Sequence, residues 1–93
     1  SKNFRLIIIA RQERGKGTDI VIESLKKLLA DFPSLRLDVV GDGDALAEFK
    51  RRAVDLLIAD QVIFHGKVNH ESVLRLLRQA DLFCYPTDSE GFP

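Results

Sequence analysis

The sequence predicts an α/β fold: a parallel sheet with helices on its faces, in the order βαβαβαβ. Three observations carry this. Four short apolar runs recur along 93 residues, and the first, rich in β-branched residues, reads as a strand buried on both faces. Three intervening segments place apolar residues at helical spacing. Strands that alternate with helices need crossover connections, and crossovers make the sheet parallel.

The elements come in order. FRLIIIAR, residues 4–11, is a continuous apolar run and reads as strand 1. The polar loop QERGKG comes after it. Thr18 is placed to cap the first helix, and Asp19 falls in its first turn, where a carboxylate suits the helix N-terminus. Val21, Ile22, Leu25, Leu28 and Leu29 keep helical spacing through residue 30, with Glu23 and Lys27 as an i,i+4 pair on the outer side. Pro33 stops that helix. LRLDVVG, residues 35–41, is strand 2. GDGD is a tight turn, and its Asp42 or Asp44 can cap the next element. Leu46, Phe49, Ala53, Leu56 and Leu57 stripe one face of a second helix, spanning about 44–59. QVIFHG, residues 61–66, is a short strand 3. Asn69 caps a third helix whose stripe is Val73, Leu76, Leu77 and Ala80. DLFCYP, residues 81–86, is strand 4, ended by Pro86.

Right-handed crossovers leave two common strand orders. In one of them, the Rossmann-like order 3-2-1-4, strands 1 and 4 lie side by side and the chain path reverses between them. Ligands of open α/β sheets bind at that reversal, outside the carboxyl ends of the strands. The loops there are residues 11–17 and 87–93.

Composition narrows the function classes. The apolar fraction is 45%, which suits one small globular domain. Fourteen basic residues balance fourteen acidic ones, so net charge supplies no field for nucleic acid or an anionic membrane. No apolar run is long enough to span a bilayer, and no signal peptide is visible. The single cysteine, Cys84, excludes an internal disulfide and fits a reducing, cytoplasmic setting. Within LFCYP it reads as a small buried core residue. A catalytic thiol would need a base, and no spacing joins Cys84 to His65 or His70. The chain has no Met and closes on the turn-like SEGFP, so it is expected to be a piece of a longer protein.

ARQERGKGT, residues 10–18, carries the chemistry. A P-loop would read G-x-x-x-x-G-K-[ST] in the same strand–loop–helix context. Here Ala10 stands at the first glycine, and Gly17 stands where a hydroxyl would hold Mg²⁺. Asp42, after VVG, is the only candidate for a second Mg²⁺ contact. A dinucleotide loop needs G-x-G-x-x-G, of which only Gly15 and Gly17 are present. What the loop offers is three cations in six residues, Arg11, Arg14 and Lys16, before a helix N-terminus. Free helical N–H groups favour anions, arginine grips phosphate bidentately, and lysine acts as a point charge. That set suffices for a diphosphate without a metal. The plainer alternative is three solvated loop charges.

Five motifs then form a pattern. Arg11, QERG, Lys16 and Gly17 come directly after an apolar strand. VVGDG ends the second strand, VIFHG the third, ADLFCYP covers the fourth, and EGFP comes last. In this order and spacing the chain resembles the C-terminal, donor-binding domain of GT-B-fold retaining glycosyltransferases of the group 1, or family-four, type. The resemblance covers essentially the whole chain. It implies a partial nucleotide-sugar-binding domain over residues 1–93, part of an enzyme that transfers a hexosyl group to an acceptor hydroxyl. Arg11 and Lys16 match the family's basic pair on the donor diphosphate. Glu90 matches the first glutamate of its E-x7-E motif, which hydrogen-bonds donor hydroxyls. Gly91 and Phe92 would contribute backbone N–H groups, Gly17 would belong to the donor-binding set, and Gly66, Lys67 and Val68 would seat the base. Gly41 and Gly43 are assigned to the turn. No metal and no cofactor beyond the nucleoside diphosphate sugar are implied.

The second glutamate of that motif would fall beyond Pro93, and the family's acceptor domain is not in this sequence. The fragment alone is therefore expected to be inactive, with the acceptor domain of a parent protein as its partner. Strand 81–86 is expected to lie at a sheet edge and to favour self-association. The competing reading is a non-catalytic α/β binding or assembly module, natural or engineered, built on the same half-fold. A P-loop-like NTPase stands third.

Overall fold

The computed structural model describes residues 4–85. Its elements are β1 (Phe4–Ile9), α1 (Thr18–Leu28), β2 (Leu35–Val40), α2 (Leu46–Asp55), a 3-10 turn (Ala59–Gln61), β3 (Val62–Gly66), α3 (His70–Gln79) and β4 (Leu82–Phe83). The sheet order is β3-β2-β1-β4, and all pairings are parallel. The expected fold class and strand order are both observed. Among the described residues β4 is an edge strand, joined to β1 through Leu6–Leu82 and Ile7–Phe83.

Side-chain alternation divides the core between two faces. Leu6 and Ile8 of β1, Leu37 and Val39 of β2 and Val62 of β3 point to one face. There they meet Ile22 and Leu25 of α1 and Phe49 and Ala53 of α2. Ile7 and Val40 point to the other face and pack with Leu76 of α3, flanked by Val68, Val73 and Ala80. Successive crossovers thus place α1 and α2 on one side and α3 on the opposite side. β1 is buried on both faces, as an apolar run in the sheet interior requires.

Several local expectations are corrected. α1 ends at Leu28 and not at residue 30. α2 spans Leu46–Asp55, well short of 44–59. It ends because Leu57 adopts a left-handed conformation (φ 63°) while Ile58 N–H returns to the Ala53 carbonyl, closing a Schellman-type turn. Leu57 therefore leaves the apolar stripe and is 84% exposed. Neither Asp42 nor Asp44 caps α2, whose N-cap is Ala45 without a side-chain bond. Asp42 instead accepts from Gly43 N–H at 2.8 Å. Glu23 does not pair with Lys27; it binds Arg52 of the neighbouring α2. The Asn69 cap is observed, with its Oδ1 accepting from Ser72 N–H at 2.8 Å. β4 is shorter than 81–86, and Pro86 lies outside the described residues. Cys84 is half-buried against the α1/α2 face of the core, and burial pushes its thiol pKa up. Among the described residues no helix is long and apolar enough to cross a membrane.

Candidate functional site

Three loops converge at the carboxyl ends of β1, β2 and β3, and backbone hydrogen bonds lace them together. Ala10 N–H donates to the Val40 carbonyl and Gln12 N–H to the Asp42 carbonyl, both at 3.0 Å. Ala45 N–H donates to the Gln12 carbonyl, and Gly41 N–H to the Gly66 carbonyl, both at 2.8 Å. Paired backbone groups of this kind fix loops that would otherwise sample many conformations.

Gln12 is the hub. Its side chain is fully buried. Its Nε2 donates to the Ala10 carbonyl at 2.9 Å and to the Val40 carbonyl at 3.2 Å. Its Oε1 accepts from the Thr18 hydroxyl at 2.7 Å. One amide thus ties the end of β1, the end of β2 and the start of α1. Thr18, expected as the N-cap, is instead the first residue of α1, and its hydroxyl points inward. The N-cap is Gly17, at φ 108°, and it offers no side-chain acceptor. The first N–H groups of α1 thus lack a side-chain cap and an intrahelical partner, the state that favours an anion.

The GDG turn exists for close approach. A Cβ on Gly41 would lie 1.8 Å from the Ala10 carbonyl oxygen, and one on Gly43 would lie 2.4 Å from that of Gln12. The β2 turn packs backbone to backbone against the loop after β1, and a methyl group at either position would force the two apart. The assignment of both glycines to the turn is therefore consistent with the geometry.

The basic loop has a definite charge arrangement. Arg11 is exposed, and its Nε and Nη2 donate to Glu13 Oε2 at 3.0 and 2.8 Å. That hydrogen bond, then the charge of Glu13, raises the guanidinium pKa further above its usual value. Arg14 reaches across to Glu48 on α2 at 3.0 Å, away from the helix N-terminus. Lys16 is exposed beside Gly17 and has no ion-pair partner among the described residues. Of three candidate cations, Lys16 is unpaired among the described residues, Arg11 is held on a carboxylate within its own loop, and Arg14 is drawn to a neighbouring helix.

Gly66 closes β3 at φ 68°, and Lys67 and Val68 lead from it into α3. Val68 packs against the Ile7–Val40–Leu76 cluster. The Gly41–Gly66 bond brings this loop against the one that packs on Gln12. The loop of Arg11, Lys16 and Gly17 and the loop that starts at Gly66 thus both lie at the carboxyl ends of the strands, linked only through the GDG turn between them. Glu90, Gly91 and Phe92 lie outside the described residues. β4 delivers the chain beside β1, with Cys84 N–H bonded to the Ile7 carbonyl at 2.7 Å.

Two features are not singled out by sequence. One is Gln12, which has the look of an ordinary polar loop residue. The other is a charged chain across the sheet, made of Arg5 (β1), Asp38 (β2) and His65 (β3). A signal for the second existed: one charge each in the otherwise apolar runs FRLIII and LDVV. A buried carboxylate in a central strand requires partners.

An open parallel sheet with order 3-2-1-4, helices on both faces and a basic loop after β1 defines a Rossmann-like α/β domain. The family model for glycosyl transferases group 1 matches residues 1–93. The chain belongs to that family, and its fold is that of a GT-B glycosyltransferase domain. It is 26% identical over 93 residues to the phosphatidylinositol N-acetylglucosaminyltransferase gpi3 subunit of Schizosaccharomyces pombe, covering 99% of this chain and 20% of that protein. It is 35% identical over 74 residues to the phosphatidyl-myo-inositol mannosyltransferase of Mycolicibacterium smegmatis, covering 80% of this chain and 18% of that one. The chain thus spans about a fifth of the length of these relatives. Among solved structures it is similar to WaaG, a glycosyltransferase involved in lipopolysaccharide biosynthesis (TM-score 0.81, 27% identity, 94% of this chain and 23% of that one). The pneumococcal O-GlcNAc transferase GtfA, in complex with UDP and GlcNAc, shares the fold (TM-score 0.85, 21% identity, 99% of this chain and 18% of that one).

Proposed function

We propose that residues 1–93 form the donor-binding part of a retaining glycosyltransferase, which moves a hexosyl group from a nucleoside diphosphate sugar to an acceptor hydroxyl. The observation that carries this reading is the placement of Arg11, Lys16 and the uncapped α1 N-terminus together at the β1/β4 switch point, in a chain of this family. Arg11 and Lys16 hold the diphosphate. As the bond between sugar and phosphate breaks, negative charge grows on the departing nucleoside diphosphate. Fixed cations and helix N–H groups aimed at that charge bind the transition state more tightly than the ground state. In this reading they do so without a divalent ion. Gly66, Lys67 and Val68 take the base, Gly17 and the Gly91–Phe92 segment supply backbone N–H groups, and Glu90 holds donor hydroxyls.

The test is made in the full-length enzyme that carries these residues. Arg11→Ala and Lys16→Ala should each lower kcat/KM by about 100-fold, the effect of losing a transition-state charge partner. Thermal stability should hold, since both side chains are exposed. Activity should persist in EDTA. A folded Arg11→Ala variant with normal turnover would remove Arg11 from the site.

A further inference from the structure

Asp38 is a carboxylate in the middle of an apolar strand, and its side chain is fully buried. Arg5 grips both of its oxygens, with Nη2 at 2.8 Å from Oδ1 and 2.9 Å from Oδ2, and Nε at 3.1 Å from Oδ2. An ionised carboxylate accepts only, so His65 Nε2 carries the proton it donates to Asp38 Oδ1 at 2.8 Å. All three side chains lie on the α3 side of the sheet.

His65 also occupies a singular backbone position. Val39 pairs with Phe64 and Val40 pairs with Gly66, which leaves His65 as the extra residue of a β-bulge. Bulges bend a strand and re-aim the chain beyond them. The chain beyond this one is Gly66, Lys67 and Val68. A bulge needs a reason to stay where it is, because slipping by one residue would restore a regular ladder. The Gly41 N–H bond holds the Gly66 carbonyl just past the bulge, and the Asp38 bond holds the extra residue itself.

We propose that Arg5, Asp38 and His65 act as a latch that positions the base-binding loop: His65, held on buried Asp38, pins the bulge and so sets where Gly66, Lys67 and Val68 stand. The inference rests on the donor-site reading above. His65 is a positioning residue and does not touch the donor. Arg11 and Lys16 sit on a different loop, so releasing the latch impairs recognition of the base while the groups that face the diphosphate stay in place. A slip of one residue moves the loop by about 3.3 Å, far more than base recognition tolerates.

The experiment uses the full-length enzyme with His65→Leu, His65→Asn and His65→Gln, each checked for folding by circular dichroism and thermal melting. His65→Leu should raise the donor KM about tenfold and leave kcat within about twofold, the split expected when binding geometry alone is lost. It should also narrow the difference between UDP and GDP as inhibitors. His65→Gln, which can still donate to Asp38, should restore the wild-type values. His65→Asn is polar but too short to reach Asp38; it should behave as His65→Leu and serves in its place if that variant does not fold. A folded Leu or Asn variant with unchanged donor KM and unchanged nucleotide preference overturns the latch, as does a Gln variant that loses as much as Leu. Arg11→Ala, measured in parallel, separates the two readings. If it too leaves donor affinity and turnover unchanged, the donor-site assignment itself fails; if it alone loses them, only the latch fails.

Discussion

The Thr18 hydroxyl lies 2.7 Å from Gln12 Oε1, inside the protein and six residues away along the chain. A residue type suited to capping its own helix is thereby spent on fixing the loop that precedes it. Removal of Gln12 should expose how much depends on this bond. Gln12→Leu strands the Thr18 hydroxyl and the Ala10 carbonyl, while the Val40 carbonyl keeps its bond from Ala10 N–H. Leaving buried polar groups unpaired costs about 1–3 kcal/mol each, with partial relief from local rearrangement. The variant should lose about 2–4 kcal/mol in urea unfolding, and Gln12→Leu/Thr18→Val should lose less than the two single changes added together. Additive losses would mean that the two side chains do not act as a unit.

Glycine at 43 and glycine at 15 should respond very differently to alanine. Gly15 has φ 87° and open space where a methyl group would sit, so Gly15→Ala meets only the left-handed backbone penalty, about 1 kcal/mol. Gly43→Ala places a methyl carbon 2.4 Å from the Gln12 carbonyl oxygen. Backbone on both sides must move, and the loss should exceed about 3 kcal/mol or prevent folding. Denaturant midpoints of the two variants decide it, and equal stabilities would contradict the interlocked loops.

Glu13 occupies the guanidinium fork of Arg11 that a phosphate would use. On the proposed donor-site reading, the diphosphate competes with this exposed ion pair for Arg11. Glu13→Gln should tighten binding of UDP or GDP by about two- to fivefold, in keeping with the modest strength of surface pairs. The gain should shrink as salt rises, because screening already weakens the wild-type pair. Calorimetric titration at two ionic strengths checks both statements. Weaker binding would instead assign Glu13 a direct role toward the donor.

Cys84 should be a slow nucleophile. Burial raises its pKa, so the thiolate, the reactive form, is scarcer at neutral pH than in an exposed cysteine. Alkylation by iodoacetamide near neutral pH should be several-fold slower than for a free thiol and should rise as pH climbs toward the raised pKa. Unfolding in urea should remove the difference. Fast labelling of the folded protein would place Cys84 outside the core contact described above.

Fold class and order of elements are legible in the bare chain, because they arise from local patterns, apolar runs and helical stripes; the handedness of crossovers narrows the strand order to two, of which the structure has 3-2-1-4. The basic loop is legible too, since Arg11, Lys16 and Gly17 announce themselves by type and spacing. The contacts of those residues were settled by packing. Thr18 could serve as a cap or as a partner for Gln12, and only the packing of α1 against β1 selects between them. Glu23 was within reach of Lys27 on its own helix, yet α2 brings Arg52 closer. Arg5 and His65 stand 33 and 27 residues from Asp38 along the chain, and nothing local links them. They meet because parallel pairing sets β1, β2 and β3 side by side and a bulge turns His65 toward the carboxylate. Local sequence encodes what each segment can become; the partners of its polar groups depend on which segments the fold makes neighbours, and a buried charge accepts only the neighbours that can satisfy it.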